Sequence, residues 1–359
     1  MKLSPAVTVW LDLVRVIAAL AVMASHYSTA LFPDMREPVF GHDAVVVFFV
    51  LSGFVIAFVC DQRDQGPLDY GLSRLVRLWS VAIPALALGV CIRLFLGSTP
   101  ELPAPAAPNG SWSYVIIGTI SNLLFLGENW GVTISAPFNA PFWSLNYEAW
   151  YYACYGAFVF LTGRTRWIVT TILCALAGPK IMILAPCWLA GVALYHWRDR
   201  IRLSNGVAIA VFATSFLAYA AINELELTRI SRDWLKAMTG GQSWRLHSSQ
   251  GVIGDYILTV VVMMNFIGAA HMASLGRFIL PFRRPISWAS SYTLSIYLYH
   301  IPLLVILLHG VRLDPADGVL PRLTIIGLAL GGIVLLGLVT EHQRRGLRHL
   351  LTWRSPRRA

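Results

Sequence analysis

The sequence predicts an all-α membrane protein, a polytopic helical bundle of about ten transmembrane helices with one additional re-entrant or short helix. Of its 359 residues, 57% are hydrophobic and only 13% are charged, whereas a soluble domain has about 25% charged residues. The apolar residues also fall into repeated runs that approach the roughly 20 residues needed to cross a bilayer. Together these observations exclude an ordinary soluble domain.

The net charge of +10 indicates membrane topology and not a nucleic-acid partner. Lys and Arg lie between the apolar segments and near the C-terminus, and such residues concentrate on the cytoplasmic side of membrane proteins. We therefore assign the charge to topology and to contact with the anionic lipid of the bilayer.

Ten apolar segments are candidate membrane spans. The fifth and sixth are short and are separated only by Gly178, Pro179 and Lys180, so they form either a tight hairpin or one broken helix. The ten segments comprise residues 7–32, 43–60, 81–96, 143–161, 167–178, 181–196, 206–222, 252–273, 290–309 and 323–340.

The basic stretches decide the predicted topology, because all of them are expected in the cytoplasm. With both termini cytoplasmic, ten spans satisfy this rule only if residues 113–126 do not cross the membrane; we predict that they are re-entrant or lie in its outer half. Residues 223–250 are predicted to be the largest non-cytoplasmic loop. The basic stretches are residues 63–77, 164–166, 198–202, 277–284 and 344–358.

Residues 1–342 are the predicted transmembrane domain, and residues 343–359 a basic cytoplasmic tail. The first span is expected to be a retained signal anchor, because Arg15 interrupts its apolar run and no small-residue cleavage site follows. The five cysteines lack metal-ligand spacing and are expected to be small core residues, so neither a disulfide framework nor a metal site is predicted.

The first span carries two ionisable side chains, Arg15 and His26. They are 11 positions apart, which places them on nearly the same helix face, about 16 Å apart along the axis. Ionisable side chains inside a membrane normally face a bundle interior or a water-filled path. Alternatively, Arg15 snorkels to the inner surface beside Asp12, and His26 is an interfacial residue.

Asp43 stands at the predicted outer start of the second span, and His26 near the outer end of the first. The short connection predicts that the two helices are neighbours in the bundle. A carboxylate beside an imidazole fixes its tautomer and favours its use as a general base. Alternatively, Asp43 is the N-cap of its helix, and both roles can coexist.

Arg74 and Arg77 lie in the segment SRLVRLW, between the second and third spans. They share one face if the segment is helical, and paired arginines can bind phosphate groups bidentately. The alternative is that they are topological anchors at the cytoplasmic membrane surface.

Two further ionisable residues lie inside apolar segments. Glu148 stands in a row of aromatic residues that includes Trp143 and Tyr147, and an aromatic surface with a carboxylate suits sugar rings; the same aromatics also suit an interfacial belt. His300 lies beside Pro302 near the end of its span. A kinked helix with a polar gap is the alternative explanation for His300.

Taken together, these segments resemble the acyltransferase-3 family of bacterial membrane O-acyltransferases. Five motifs occur in order over almost the whole chain: LDLVRVIAALAVMASH with Arg15 and His26, VFFVLSGFVIA, the Arg-x-x-Arg pair Arg74 and Arg77, WSLNYEAWYY, and SSYTLSIYLYHIP. Many members carry an Asp where this chain has Val46, and Asp43 lies one helical turn earlier. We expect a stand-alone member without the fused SGNH esterase domain of some relatives.

The resemblance implies transfer of an acyl group, expected to be acetyl, from cytoplasmic acyl-CoA to a hydroxyl of a glycan or another acceptor. His26 is implied as the catalytic base or as an acyl carrier. No permanently bound cofactor is expected. The implied residues are His26, Arg15, Asp43 and Glu148 for catalysis; Arg74, Arg77 and Arg15 for acyl-CoA; and Trp143, Tyr147, Glu148 and His300 for the acceptor.

The resemblance also implies the bacterial cytoplasmic membrane as the location, with the lipid bilayer as a partner. It leaves the oligomeric state open. Two other classes compete: a polytopic transporter, since intramembrane Arg, His and Glu also build translocation paths, and a catalytically silent sensor on the same scaffold.

Overall fold

The computed structural model describes residues 4–32, 40–62, 66–97, 111–344 and 346. These residues form helices and connecting turns, without a β-strand in the described ranges, so the all-α prediction is confirmed. The helices are α1 (Pro5–Leu31), α2 (Phe40–Gln62), α3 (Pro67–Leu96), α4 (Trp112–Leu123), α5 (Trp143–Phe160), α6 (Gly163–Ala177), α7 (Pro179–Met182), α8 (Ala185–Trp197), α9 (Asn205–Glu224), α10 (Leu227–Met238), α11 (Val252–His271), α12 (Leu275–Ile279), α13 (Arg283–Ser290), α14 (Thr293–Val305) and α15 (Val319–Val339).

Seven helices of the described chain are long and apolar enough to cross a membrane. They are α1, α2, α3, α9, α11 with the turn before it, α14 with the π-turn Ile306–Gly310, and α15 with the turn after it. Three of the ten predicted spans became α5, α6 and α8, with 18, 15 and 13 residues. They do not meet this criterion, and α6 and α8 are well short of the roughly 20 residues of a straight span.

The extra apolar piece at residues 113–126 forms a short helix and the turn after it, and its position in the membrane stays a prediction. Helix α4 has only 12 residues. The irregular chain after it is held by Asn122, whose side-chain NH₂ donates to the carbonyls of Gly118 and Ile134, both at 2.8 Å.

Two other segments are more helical than the sequence required. Arg74 and Arg77, predicted between the second and third spans, lie inside α3, because the helix already begins at Pro67 and continues into the span. Residues 223–250 contain α10 and the 3-10 turn Gln242–Ser249, and their non-cytoplasmic location stays a prediction. Helix α10 is tied to α11 by the Ser231 hydroxyl, which accepts from the Gly254 N–H at 3.2 Å.

The chain forms two compact units. Unit 1 comprises Met1–Val22, Val39–Asp64 and Ala177–Ser290. Its closest packing is between α2 and α8, where a Cβ on Gly53 would meet the Trp188 carbonyl and a Cβ on Gly191 would meet the Val50 carbonyl. Small residues let helix backbones approach this closely, as is common in membrane bundles.

Unit 2 comprises Met23–Pro38, Gln65–Leu176 and Ser291–Ala359. Here α3 packs against α5, and α14 against α3 and α15. Gly156 on α5 leaves room for the ring of Tyr70 on α3, whose hydroxyl donates to the Tyr152 carbonyl at 3.0 Å. Helix α1 is continuous, but its last part, from Met23, belongs to unit 2.

Candidate active site

His26 and His300 form a direct pair in unit 2. The His300 Nε2 lies 3.1 Å from the His26 Nδ1, and the ring centroids are 5.1 Å apart. His300 has 0% exposure, whereas His26 is half-buried. The other His300 nitrogen, Nδ1, lies 2.9 Å from the Ile296 carbonyl oxygen. The sequence singled out both histidines but assigned them to different tasks.

Pro302 and Tyr27 fix the backbone of α14 around His300. Because proline has no N–H, the Leu298 carbonyl loses its usual helical donor and instead accepts from the Asn139 side chain at 2.8 Å. The Tyr27 hydroxyl donates to the His300 carbonyl at 2.9 Å. The polar gap expected beside Pro302 is thus filled by specific side chains.

Tyr297 connects the histidine pair to the start of α5. Its ring centroid lies 6.4 Å from that of His300. Its hydroxyl donates to the Pro141 carbonyl at 2.8 Å and lies 2.7 Å from the Ser144 hydroxyl. Tyr297 and Ser144 were not predicted as site residues, although they belong to the motifs SSYTLSIYLYHIP and WSLNYEAWYY, respectively.

Glu148 and Tyr152 meet Arg77 one to two turns further along α5. The Tyr152 hydroxyl donates to the Glu148 carboxylate, and Arg77 interacts with both side chains, including a hydrogen bond with Tyr152. The Arg74 guanidinium lies over the Tyr152 ring, 6.0 Å from its centroid. Glu148, which was predicted to contact the acceptor, therefore lies beside an arginine predicted to contact acyl-CoA.

Arg344, which follows α15, joins the same cluster. It forms an ion pair with Glu341 at 3.5 Å, and burial, followed by repulsion from Arg77, lowers the pKa of its guanidinium. Glu341 also accepts from the N–H and hydroxyl of Ser295 at 3.0 and 2.8 Å, which caps the start of α14. The sequence grouped Arg344 only with the basic tail.

One face of α5 links the histidine pair to the arginines. Ser144, Glu148 and Tyr152 follow each other at four-residue spacing, so they share that face and span about 12 Å. Tyr297 and Glu148 also interact electrostatically. We call this arrangement the polar row; it consists of His26, His300, Tyr297, Ser144, Glu148, Tyr152 and Arg77.

The aromatic residues near Glu148 are mostly packed. Tyr147 has 0% exposure and contacts Trp143 and Tyr151 edge to face, with centroids 5.1 and 6.4 Å away. Trp143 is only half-buried. Tyr152 also lines an apolar cleft of about 390 Å³ between α3 and α5. That Trp143 and Tyr147 bind the acceptor stays a prediction.

Arg15 and Asp43 both lie in unit 1. Arg15 pairs with Asp12 at 3.8 Å and is half-buried. Asp43 is in the first turn of α2, so it is not the N-cap of that helix. Its carboxylate accepts from the Tyr219 hydroxyl at 3.1 Å. The predicted pairing of Asp43 with His26 stays a prediction.

Unit 1 contains a pair formed by a histidine and an aspartate, which was not predicted from the sequence. The His42 Nε2 lies 3.0 Å from the Asp255 Oδ1, and the two side chains are 29% and 1% exposed. The buried Asp255 Oδ2 has no hydrogen-bond partner in the described structure. A carboxylate in the apolar span 252–273 was the available signal. In the described ranges no group of three or more His, Cys, Asp or Glu side chains is arranged to hold a metal ion.

Comparisons with known proteins identify one family. The acyltransferase-3 family, described as an acyltransferase domain, matches residues 8–341. A curated relative, "Acyltransferase MdmB" of Streptomyces mycarofaciens, is 33% identical over 150 residues, which is 38% of this chain. The chain spans about a third of that relative's length, with 35% covered. No solved structure matches this chain.

Proposed function

This chain belongs to the acyltransferase-3 family, and we propose that it is an O-acyltransferase of the bacterial cytoplasmic membrane with both termini in the cytoplasm. It moves an acyl group, acetyl in our proposal, from acyl-CoA to a hydroxyl of a glycan or another acceptor. The observation that carries the proposal is the polar row, which connects a half-buried imidazole to an arginine cluster within unit 2.

The arginine cluster supports a donor that carries phosphate groups. Arg74, Arg77 and Arg344 interact there with Glu148, Glu341 and Tyr152, so the arginines outnumber the carboxylates. Planar guanidinium groups bind phosphate bidentately, and a bound anion would relieve the repulsion between Arg77 and Arg344. We assign this cluster to the phosphates of acyl-CoA.

The α5 face supports a path for the rest of the donor. It extends about 12 Å from Tyr152 to Ser144, beside the apolar cleft that Tyr152 lines. In our proposal the arm of acyl-CoA follows this face, so that its thioester approaches His26. That Arg15 contacts the acyl-CoA and that Trp143 orients the acceptor stay predictions.

His26 would act as the general base. The acceptor O–H gives its proton to the imidazole while its oxygen forms a bond to the thioester carbonyl carbon. The C–S bond then breaks, and the CoA thiolate accepts this proton from the imidazolium. In the alternative route, the His26 imidazole displaces the CoA thiolate from the acyl carbon. The acceptor oxygen then displaces the imidazole, and the acceptor proton passes to the thiolate.

Acyl-CoA binding and hydrolysis by protein in nanodiscs test the proposal. We expect saturable acetyl-CoA binding that Arg77→Ala weakens, and slow hydrolysis that disappears in His26→Ala. Arg93→Ala is the matched control, because Arg93 lies on the same helix but stacks on Trp112 at 5.2 Å. Failure of the wild type to bind any acyl-CoA would overturn the proposal and favour transport or sensing. Hydrolysis retained by His26→Ala would instead remove His26 from the mechanism.

A further inference from the structure

We infer that His300 is a positioning residue that holds the proton of neutral His26 on Nδ1, and thereby places the lone pair of His26 on Nε2. This inference rests on the proposed role of His26 as the base. It assigns His300 to the base and not to acceptor binding.

The position of the first proton follows from the Ile296 carbonyl. A carbonyl oxygen can only accept a hydrogen bond, and the Ile296 oxygen lies 2.9 Å from the His300 Nδ1. The Nδ1 of His300 must therefore carry a proton. In a neutral imidazole the other nitrogen, Nε2, is then an acceptor.

The position of the second proton follows from the contact between the rings. The His300 Nε2 and the His26 Nδ1 are 3.1 Å apart, a hydrogen-bond distance that needs one proton between them. Because Nε2 of neutral His300 accepts, that proton belongs to His26 Nδ1. The alternative is a doubly protonated His300, which would bury a cation at 0% exposure, and burying a cation without a counter-charge is costly.

The neighbours of His300 keep this geometry in place. Its carbonyl accepts from Tyr27, and the carbonyl of Leu298, two residues earlier, accepts from Asn139. The start of α14 is capped by Glu341. Both ring nitrogens of His300 are engaged, so the ring has no further donor or acceptor for a glycan.

The arrangement is similar to a catalytic triad, in which a carboxylate orients the histidine that acts as the base. Here the orienting group is the imidazole of His300. When His26 takes the acceptor proton on Nε2, its Nδ1–H remains bonded to His300. No charge has to be buried before the reaction begins. Loss of the partner would leave the His26 tautomer unselected, which lowers the fraction of productive base.

The experiment combines ¹⁵N NMR of histidine-labelled protein in nanodiscs with turnover of acetyl-CoA. The His26 signal is assigned by its absence from His26→Ala. We expect the Nδ1–H tautomer in the wild type, a shift toward Nε2–H in His300→Leu, and a kcat lowered by about 10²-fold or more, within the range of general-base catalysis, with little change in KM for acetyl-CoA.

His300→Gln is the conservative variant, since its amide oxygen can accept from His26 Nδ1; it should restore the Nδ1–H tautomer and much of kcat. His309→Leu, on the following π-turn, is the control and should leave the His26 spectrum unchanged. An Nε2–H tautomer in the wild type, or an unchanged tautomer in His300→Leu, would overturn the inference even if His300→Leu lost activity. Turnover retained by His26→Ala would instead overturn the proposed role of His26 as the base, and failure of the wild type to bind any acyl-CoA would overturn the proposed function.

If His300→Leu does not fold, the wild-type and His300→Gln spectra still decide the matter. The inference requires the Nδ1–H tautomer of His26 in both proteins, and an Nε2–H tautomer in either contradicts it.

Discussion

Each of the two compact units contains a half-buried histidine that contacts a buried polar side chain, and the two sites differ in the chemistry of that side chain. In unit 2, His26 meets a second imidazole, His300, at 3.1 Å. In unit 1, His42 meets the carboxylate of Asp255 at 3.0 Å. Both partners are buried, with exposures of 0% and 1%. At similar distance and burial, the chemistry of the partner separates the two sites.

This difference predicts different tasks for the same residue type. A buried carboxylate next to an imidazole forms an ion pair, and removal of either half leaves the other without compensation. A second imidazole adds no net charge and still fixes which nitrogen carries the proton. We therefore expect the unit 1 pair to act mainly on stability, and the unit 2 pair mainly on turnover.

The largest expected effect on stability comes from His42→Ala. This change leaves the Asp255 carboxylate buried without its partner, which costs about 3–5 kcal/mol when a buried pair is broken. Asp255→Asn should cost less, because it removes the charge that is costly to bury. Thermal unfolding in detergent measures both. If His42→Ala unfolds like the wild type but has lost turnover, the unit 1 pair belongs to the chemistry and the comparison fails.

Arg77→Ala should have the next largest effect, on donor binding. Loss of a hydrogen bond to a charged group costs about 1.5–3 kcal/mol, so we expect acetyl-CoA affinity to fall by roughly 10- to 100-fold. The matched control is Arg232→Ala, since Arg232 interacts with His42 and Asp43 in unit 1. Isothermal titration with acetyl-CoA compares the two variants. Equal losses of acetyl-CoA affinity in the two variants would show that Arg77 has no specific role in donor binding.

Glu341→Ala should have a smaller effect, because it removes the cap from the helix that carries His300. Loss of a helix cap costs about 0.5–2 kcal/mol. Glu341→Gln keeps an acceptor for Ser295 and should retain most of the stability. Thermal unfolding and the His26 tautomer should both respond to the alanine variant. An alanine variant with wild-type stability would contradict the capping role seen in the Ser295 contacts.

The smallest expected effect comes from Tyr27→Phe. It keeps the ring and removes only the hydroxyl that donates to the His300 carbonyl. A hydrogen bond of this kind contributes about 1 kcal/mol, so we expect a modest loss of stability in thermal unfolding and a slight loss of acetyl-CoA turnover. A loss of turnover as large as that of His300→Leu would mean that the hydroxyl takes part directly in the reaction.

The sequence predicted the fold class and several members of the site, but not how those members pair. Periodicity placed Arg74 and Arg77 on one helix face, and the motifs selected His26, Glu148 and His300. The sequence could not show that Glu148 contacts Arg77. A helical repeat indicates which residues share a face, but not which neighbouring helix that face contacts. The same limit explains why Tyr297, Arg344 and the His42–Asp255 pair were missed.

The all-α class followed from the sequence alone, since a chain with such long apolar runs must satisfy its backbone hydrogen bonds within helices in a bilayer. The function class followed from the five motifs, and the family match to residues 8–341 agrees with them. Only the tertiary structure brought His300 to His26 across 274 positions of sequence. A hydrogen bond between two ring nitrogens depends on distances of tenths of an ångström, and these are set by the packing of α14 in unit 2.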